Sequence, residues 1–211
     1  MAPNSAFNTV QFEPEFRTRL LAQHCFVGTP LFQDSFDAAF TAACLQSGHE
    51  VMPAPTGRRF WDVAVDGRKI SLKSTKARNL RKNILHISKL TEAAWIQDCR
   101  TAALRRDRTL RLFEQYIGEV DVILQFRYFS QSQLYELVEI PVAPLFEQIM
   151  SVDKSEFAAD GPTINIPHDK NPPDFTLKLD RSDSKITISN INKDVCFVHG
   201  SWRLADQTMQ E

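Results

Sequence analysis

Asp62, Ser71 and Lys73, all within FWDVAVDGRKISLKST (60–75), have the types and spacing to do chemistry together. Between them stands Asp66-Gly67, a strong two-residue turn signal, because a type I′ turn needs positive φ at both central positions. Reversal there pairs Val65 with Arg68 and sets Asp62 opposite Ser71. Lys73 then lies one diagonal further along the same face, about 7–8 Å away at Cβ. Trp61, Val63, Val65, Ile70 and Leu72 fall on the other face. The pleat is therefore predicted to bury one row and present Asp62, Ser71 and Lys73 together to water. Any half-buried hairpin shows such a pattern; the surroundings add to it. Downstream, STKARNLRKN is dense in cations and amides, with no acid until Glu92. A carboxylate and an ammonium in a phosphate-attracting field are the parts of metal-dependent phosphodiester hydrolysis. The carboxylate holds Mg²⁺, the ion neutralises developing charge, and the ammonium orients or helps deprotonate a water.

The net charge of −1 conceals a segregation. Residues 58–111 carry fifteen Lys/Arg against five Asp/Glu, a balance of +10, which leaves ten bases and twenty-one acids elsewhere. One region is thus suited to a polyanion while the rest keeps the chain soluble. Within it Lys76, Arg78, Asn79, Arg81, Lys82, Asn83 and His86 are the candidate DNA contacts. Cationic side chains bind phosphates or guanine edges and asparagine pairs with adenine. RRDR at 105–108 reads as a solvated helix face, and it also resembles arginine-acid-arginine elements that some restriction enzymes use on guanines.

The elements that must position these residues follow from periodicity. Residues 12–26 read as a helix, and 30–47 as a stronger one, with Thr29 as N-cap, Pro30 at the first position and Phe36 and Phe40 on its apolar stripe. After the hairpin, helical spacing of Leu90, Ala94, Trp95 and Cys99 predicts a long helix from Ser88 to about Tyr116. Strands are predicted at 120–129 and 134–141, a short helix at 143–151, a largely irregular stretch at 153–175, and a β-rich end: TLKL, SKITISNI and VCFVHGSWRL. Arg181, Lys185, Asn190, Asn192, Lys193, His199 and Arg203 would give that end a groove-reading ribbon. The order is mixed α/β, expected as one domain over 1–211, with a core at about 30–130 and a mostly β part at about 153–211.

A helix, an Asp on one hairpin strand, x-x-Lys on the next, then a helix and a strand resemble the core of the PD-(D/E)xK nucleases. DVAVDGRKISLKS in particular is similar to the active-site hairpin of type II restriction endonucleases. The resemblance covers residues 30 to about 130. It implies a central mixed sheet flanked by helices. It also implies Mg²⁺-dependent cleavage of a short, specific double-stranded DNA site by a homodimer. Asp62 would be the metal-binding aspartate, Lys73 the catalytic lysine, and Leu72 the donor of a backbone carbonyl to the metal. Ser71 departs from the pattern, standing where the family has Asp or Glu. Some restriction enzymes that read S-x-K draw a glutamate from the following helix, and Glu92 is the corresponding acid here. Asp34, Asp37 and Glu50 stay open as alternatives, with Asp37 preferred to Asp34.

Other chemistries have no foothold. His24, His49, His86, His168 and His199 form no zinc spacing, and neither GxxxxGK[ST] nor GxGxxG occurs, so no nucleotide cofactor is expected. No apolar run approaches the length of a membrane span, and MAPNSAFNTVQFEPEF does not read as a signal peptide. Cys25, Cys44, Cys99 and Cys196, without CxxC, are expected as reduced thiols of a cytoplasmic protein. The rival expectations are a repair nickase, a structure-specific nuclease, or a catalytically inactive DNA-binding protein on the same core.

Overall fold

The computed structural model describes residues 5 and 10–203. Half of the stretch read against a signal peptide, residues 1–4 and 6–9, and Leu204 at the end of the last predicted strand lie outside the described residues. In chain order the elements are α1 (Phe12–Val27), α2 (Asp34–Gln46), β1 (Val51–Pro53), β2 (Val63–Val65), β3 (Arg68–Thr75), β4 (Ile84–Glu92), α3 (Ala102–Glu119), β5 (Val122–Phe129), β6 (Leu134–Pro141), α4 (Val142–Phe146), β7 (Thr163–Ile166), β8 (Phe175–Asp180), β9 (Lys185–Asn192) and β10 (Phe197–Arg203). They build two compact units: α1, α2, β1–β3, β5, β6 and β10 in one, and β4, α3, α4 and β7–β9 in the other. The α/β class, the mixed sheet with helices and the β-rich end are as expected.

In the first unit the strands run β1-β2-β3-β5-β6-β10. β3 and β5 are parallel, whereas β1/β2, β2/β3 and β6/β10 are antiparallel. Val63, Val65, Ile70, Leu72, Val122, Leu124 and Phe126 pack with α1 and α2 in one apolar cluster. Phe36 of α2 stacks on Phe126 of β5 at 4.9 Å between ring centroids, and Phe126 stacks on Tyr135 at 5.1 Å. Each buried ring contributes about 2–3 kcal/mol by removal of its surface from water. The alternate row is buried too: Ala64, Ser71, Ile123, Gln125 and Arg127. Strands covered on both faces are what parallel pairing requires. Within that row Arg127 is fully buried and donates to Glu136 Oε2 at 2.7 Å, so its charge is not left alone in a low-dielectric interior.

The turn is as the sequence predicts. Asp66 and Gly67 have φ of 49° and 78°, and the register is Val65↔Arg68, Ala64↔Lys69 and Val63↔Ile70. The Asp66 carboxylate accepts the Glu50 N–H at 2.9 Å and meets His49 Nδ1 at 2.6 Å, clamping the turn to the residues before β1. His49 first, then the Glu50 amide, holds the Asp66 carboxyl below its ordinary range. A depressed carboxyl stabilises the fold above its ordinary value of 3.8, and that contribution is lost as pH falls through the lowered one.

The second unit carries an antiparallel sheet in the order β4-β9-β8-β7, and α3 packs with the turns around 147–157. Phe146 meets Phe113 at 5.2 Å and Phe175 at 5.8 Å, edge on. Arg105, buried on α3, donates to the carbonyls of Cys99, Phe157 and Ala158 at 2.8–3.0 Å. Arg106 donates to the Val152 carbonyl at 2.8 Å. Half of RRDR is therefore a scaffold for loop carbonyls, neither a solvated face nor a guanine reader.

Two predicted elements change. The helix expected from Ser88 begins instead at Ala102, where Thr101 Oγ1 accepts the Leu104 N–H at 3.2 Å as a cap. Residues 84–92 form β4, because Leu85 and Ile87 alternate with exposed His86 and Ser88, a period of two that the later alanines obscured. The helix expected from Pro30 begins at Asp34, since Gln33 leaves the chain at φ 50°. Cys44, Cys99 and Cys196 are buried, Cys25 is exposed, and all four are free thiols.

Asp66→Ala removes both clamping acceptors and forces a less tolerant residue to positive φ. Urea unfolding of this variant should show a loss on the order of 1–2 kcal/mol; unchanged stability would contradict the clamp.

Candidate active site

Asp62 stands one residue before β2, yet its backbone continues the ladder. Its N–H donates to the Ile70 carbonyl at 2.9 Å, and its own carbonyl accepts the Ala54 N–H at 2.9 Å. Its side chain is aimed by the facing strand, since Oδ2 accepts the Leu72 N–H at 2.6 Å. A charge-assisted bond of that length fixes a carboxylate better than a neutral one would. Oδ1 accepts no hydrogen bond among the described residues, and Asp62 is exposed.

Ser71 is not on a wet face. It is fully buried, and its hydroxyl lies 3.5 Å from Asp62 Oδ2, at the limit of a hydrogen bond. The expectation of a solvent-facing row fails here because the parallel β3/β5 pair is covered on both sides. A carboxylate at 71 would be a second acid beside Asp62 in a fully desolvated place, which is costly. The acid that accompanies Asp62 comes from elsewhere.

It comes from α2. Ser74 Oγ accepts the Gln33 N–H at 3.0 Å, tying the entry of α2 to β3 one residue beyond half-buried Lys73. The first turn of α2 carries Asp34 and Asp37. Phe36 and Phe40, both fully buried, fix the roll of the helix so that Asp37 borders the hairpin. A pocket of about 260 Å³ is lined by Asp37, Asp62 and Leu72, with Ala38, Thr41, Pro53 and Val63 around them. Burial first, then the charges of Asp62 and Asp34, pushes the Asp37 carboxyl from its ordinary 3.8 up to about 6, with Lys73 pulling the other way. This happens although a helix N-terminus favours carboxylates. The site accumulates more negative charge than its own surroundings satisfy.

Among the described residues no group of three or more His, Cys, Asp or Glu side chains could hold a metal ion. The donors present are two carboxylates and the backbone of Leu72, all hard oxygens. That set suits Mg²⁺, which keeps several waters and takes only one or two carboxylates from the protein.

Glu92 belongs to a different setting. It is not at a helix start but closes β4 in the second unit, opposite Lys185, where it accepts from Lys89 Nζ at 2.7 Å. Glu50 lies at the turn end of the hairpin, opposite Asp66, roughly 13 Å along the strand from Asp62 at about 3.3 Å per residue. Asp34 is exposed on the first turn of α2.

Lys76, Arg78 and Asn79 are exposed just after β3, with Lys76 Nζ 4.7 Å from the centre of the Phe32 ring. Arg81, Lys82, Asn83 and His86 are exposed at the start of the second unit. Desolvation, then Arg81 and Lys185, lowers the His86 pKa and favours the neutral ring.

A restriction-endonuclease-like α/β core with an acid-bearing hairpin defines the class, and the sequence comparisons agree with it. A family model described as SmaI, type II site-specific deoxyribonuclease, matches residues 2–204. The chain is also 30% identical over 204 residues to the type II restriction enzyme SmaI of Serratia marcescens, covering 89% of this chain and 77% of that protein. The chain belongs to this family of type II site-specific deoxyribonucleases. No solved structure matches it.

The raised Asp37 pKa carries a sign. Its cost to stability is absent below about pH 4 and fully present above about pH 6, where the folded protein holds a carboxylate it would rather protonate. Without divalent ions at pH 8, Asp37→Asn should melt a few degrees above the wild type, the gap closing toward pH 4. A lower melting temperature at pH 8 would contradict the crowding of these acids.

Proposed function

We propose that this chain hydrolyses phosphodiester bonds of double-stranded DNA at a short, specific, two-fold symmetric site, as a Mg²⁺-dependent homodimer. The single observation that carries the reading is the pocket in which Asp37 and Asp62 line one wall with Leu72, within the field of Lys73. Asp62, Asp37 and the Leu72 carbonyl would hold the ion. Bound there, Mg²⁺ neutralises the charge that develops on the phosphoryl oxygens and lowers the pKa of its waters.

The protein's own groups do the rest. The Leu72 N–H keeps Asp62 turned into the pocket, so its geometry is set before substrate arrives. Buried Ser71 backs Asp62 as a neutral neighbour rather than as a ligand. Lys73 supplies a fixed positive charge that orients the attacking water and offsets part of the acidic repulsion on Asp37. Phosphate contacts from Lys76, Arg78 and Lys82 position the duplex without reading it. A dimer follows from the substrate, because a two-fold site is cut on both strands by two equivalent subunits. Family membership supports the restriction reading over a repair nickase or an inactive binding protein.

Plasmid digestion tests this. Discrete linear fragments should form with Mg²⁺ and none with EDTA, and Asp62→Ala, Asp37→Ala and Lys73→Ala should each lower the rate by at least about a hundredfold while duplex binding stays measurable. Nicked circles alone would favour the nickase, and wild-type rates in Asp37→Ala would send the second acid back to Glu92.

A further inference from the structure

The second unit holds a cleft of about 550 Å³ that the cleavage site does not use. Asn83, Asn165, Asn171, Asn190 and Asn192 line it, five of the eight asparagines in the whole chain. Several of these amides are held in place. Arg81 Nη2 donates to Asn190 Oδ1 at 2.7 Å, and Asn190 Nδ2 donates to Thr176 Oγ1 at 3.1 Å. The Thr176 hydroxyl, buried at 5% exposure, donates onward to Asn165 Oδ1 at 3.1 Å. Donors and acceptors in this chain agree in direction from end to end, so each bond polarises the next. The chain crosses β9, β8 and β7, because Asn165 pairs with Thr176 in the ladder and Asn190 reaches across from the neighbouring strand. It ends at Asn165 Nδ2, whose hydrogens have no acceptor among the described residues. Asn190 adopts φ 56°, a conformation asparagine tolerates better than other non-glycine residues. Asn192 Oδ1 accepts the Asp194 N–H at 3.0 Å, which fixes that amide as well.

The lining discriminates between ligand chemistries. A phosphate cradle needs surplus cations, yet Lys170 here is ion-paired with Asp174. What remains is the Arg81 guanidinium, the Nδ2 donor of Asn165, the amides of Asn83 and Asn171, and the apolar rings of Pro172 and Pro173. An amide, with its donor and acceptor, matches the N7 acceptor and N6 donor of adenine, and a guanidinium matches the two acceptors of guanine, N7 and O6.

We propose that this cleft reads base edges of the target duplex, with Asn165, Asn83 and Arg81 as specificity-determining residues and Asn190 and Thr176 as the residues that position them. The proposal rests on the reading of the chain as a site-specific DNA cutter and assigns its sequence selectivity to the four-stranded unit.

The experiment digests long DNA of mixed sequence with the wild type, Asn165→Ala and Asn83→Ala in Mg²⁺, and sequences the fragment ends. Both asparagines are exposed, so neither truncation touches the core. Affinity for a random-sequence duplex is measured in parallel by anisotropy without Mg²⁺. Wild-type ends should share one motif. Each variant should cut that motif about ten- to a hundredfold more slowly, or accept a second base at one position. Random-duplex affinity should change by less than about threefold, since no phosphate contact is removed. Variants that keep both motif and rate overturn the proposal and leave the nuclease reading standing, as does an equal loss on random duplex, which points to a phosphate contact. A wild type that yields no defined ends instead overturns the nuclease reading, and this proposal with it.

Discussion

Two carboxylates on separate elements, Asp37 on α2 and Asp62 at the mouth of the hairpin, are held near each other against their own repulsion. Lys73 and the helix N-terminus do not offset the burial and acidic repulsion there, which push the Asp37 carboxyl up to about 6. The aromatic core enforces this arrangement. Phe36 stacked on Phe126, with Phe16 set edge-on to the same ring at 5.4 Å, fixes the helix to the sheet. Asp37 follows Phe36 in sequence and has no other place to go. Strain of this kind is what the proposed cation would relieve, and it is enforced by apolar packing rather than by the carboxylates themselves.

The hairpin was legible because its determinants are local. Asp66-Gly67 fixes the turn, the turn fixes the register, and the register sets Asp62 against β3 just as the spacing implies. The burial of Ser71 was not legible from that stretch. Alternation assigns residues to faces but does not say whether both faces are covered, and only the parallel partner β5 decides that. A signal did exist in VDVILQFRYF, whose nearly unbroken apolar run is what a strand buried on both sides requires. Asp37 had a signal too, as an acid between two core phenylalanines on one helical stripe, though the choice among the open acids needed α2 to be docked.

The misassigned helix at 88–116 had a wider consequence. Reading β4 as helix made Glu92 look like a first-turn acid, whereas it ends a strand beside Lys89 and opposite Lys185. The long helix starts fourteen residues after Ser88, at Ala102, and the buried Arg105 it carries ties down loop carbonyls, a non-local role that charge counting does not foresee. The asparagine cleft was scattered across four sequence segments and became visible only when β7, β8 and β9 lay side by side.

The proposed metal site shared by Asp37 and Asp62 is tested most directly by a crystal structure with Mn²⁺ in place of Mg²⁺, using the anomalous signal to locate the ion. A peak within coordination distance of both carboxylates and the Leu72 carbonyl is the expected result. An ion held by Asp62 and Glu92, with Asp37 turned away and protonated, would contradict it.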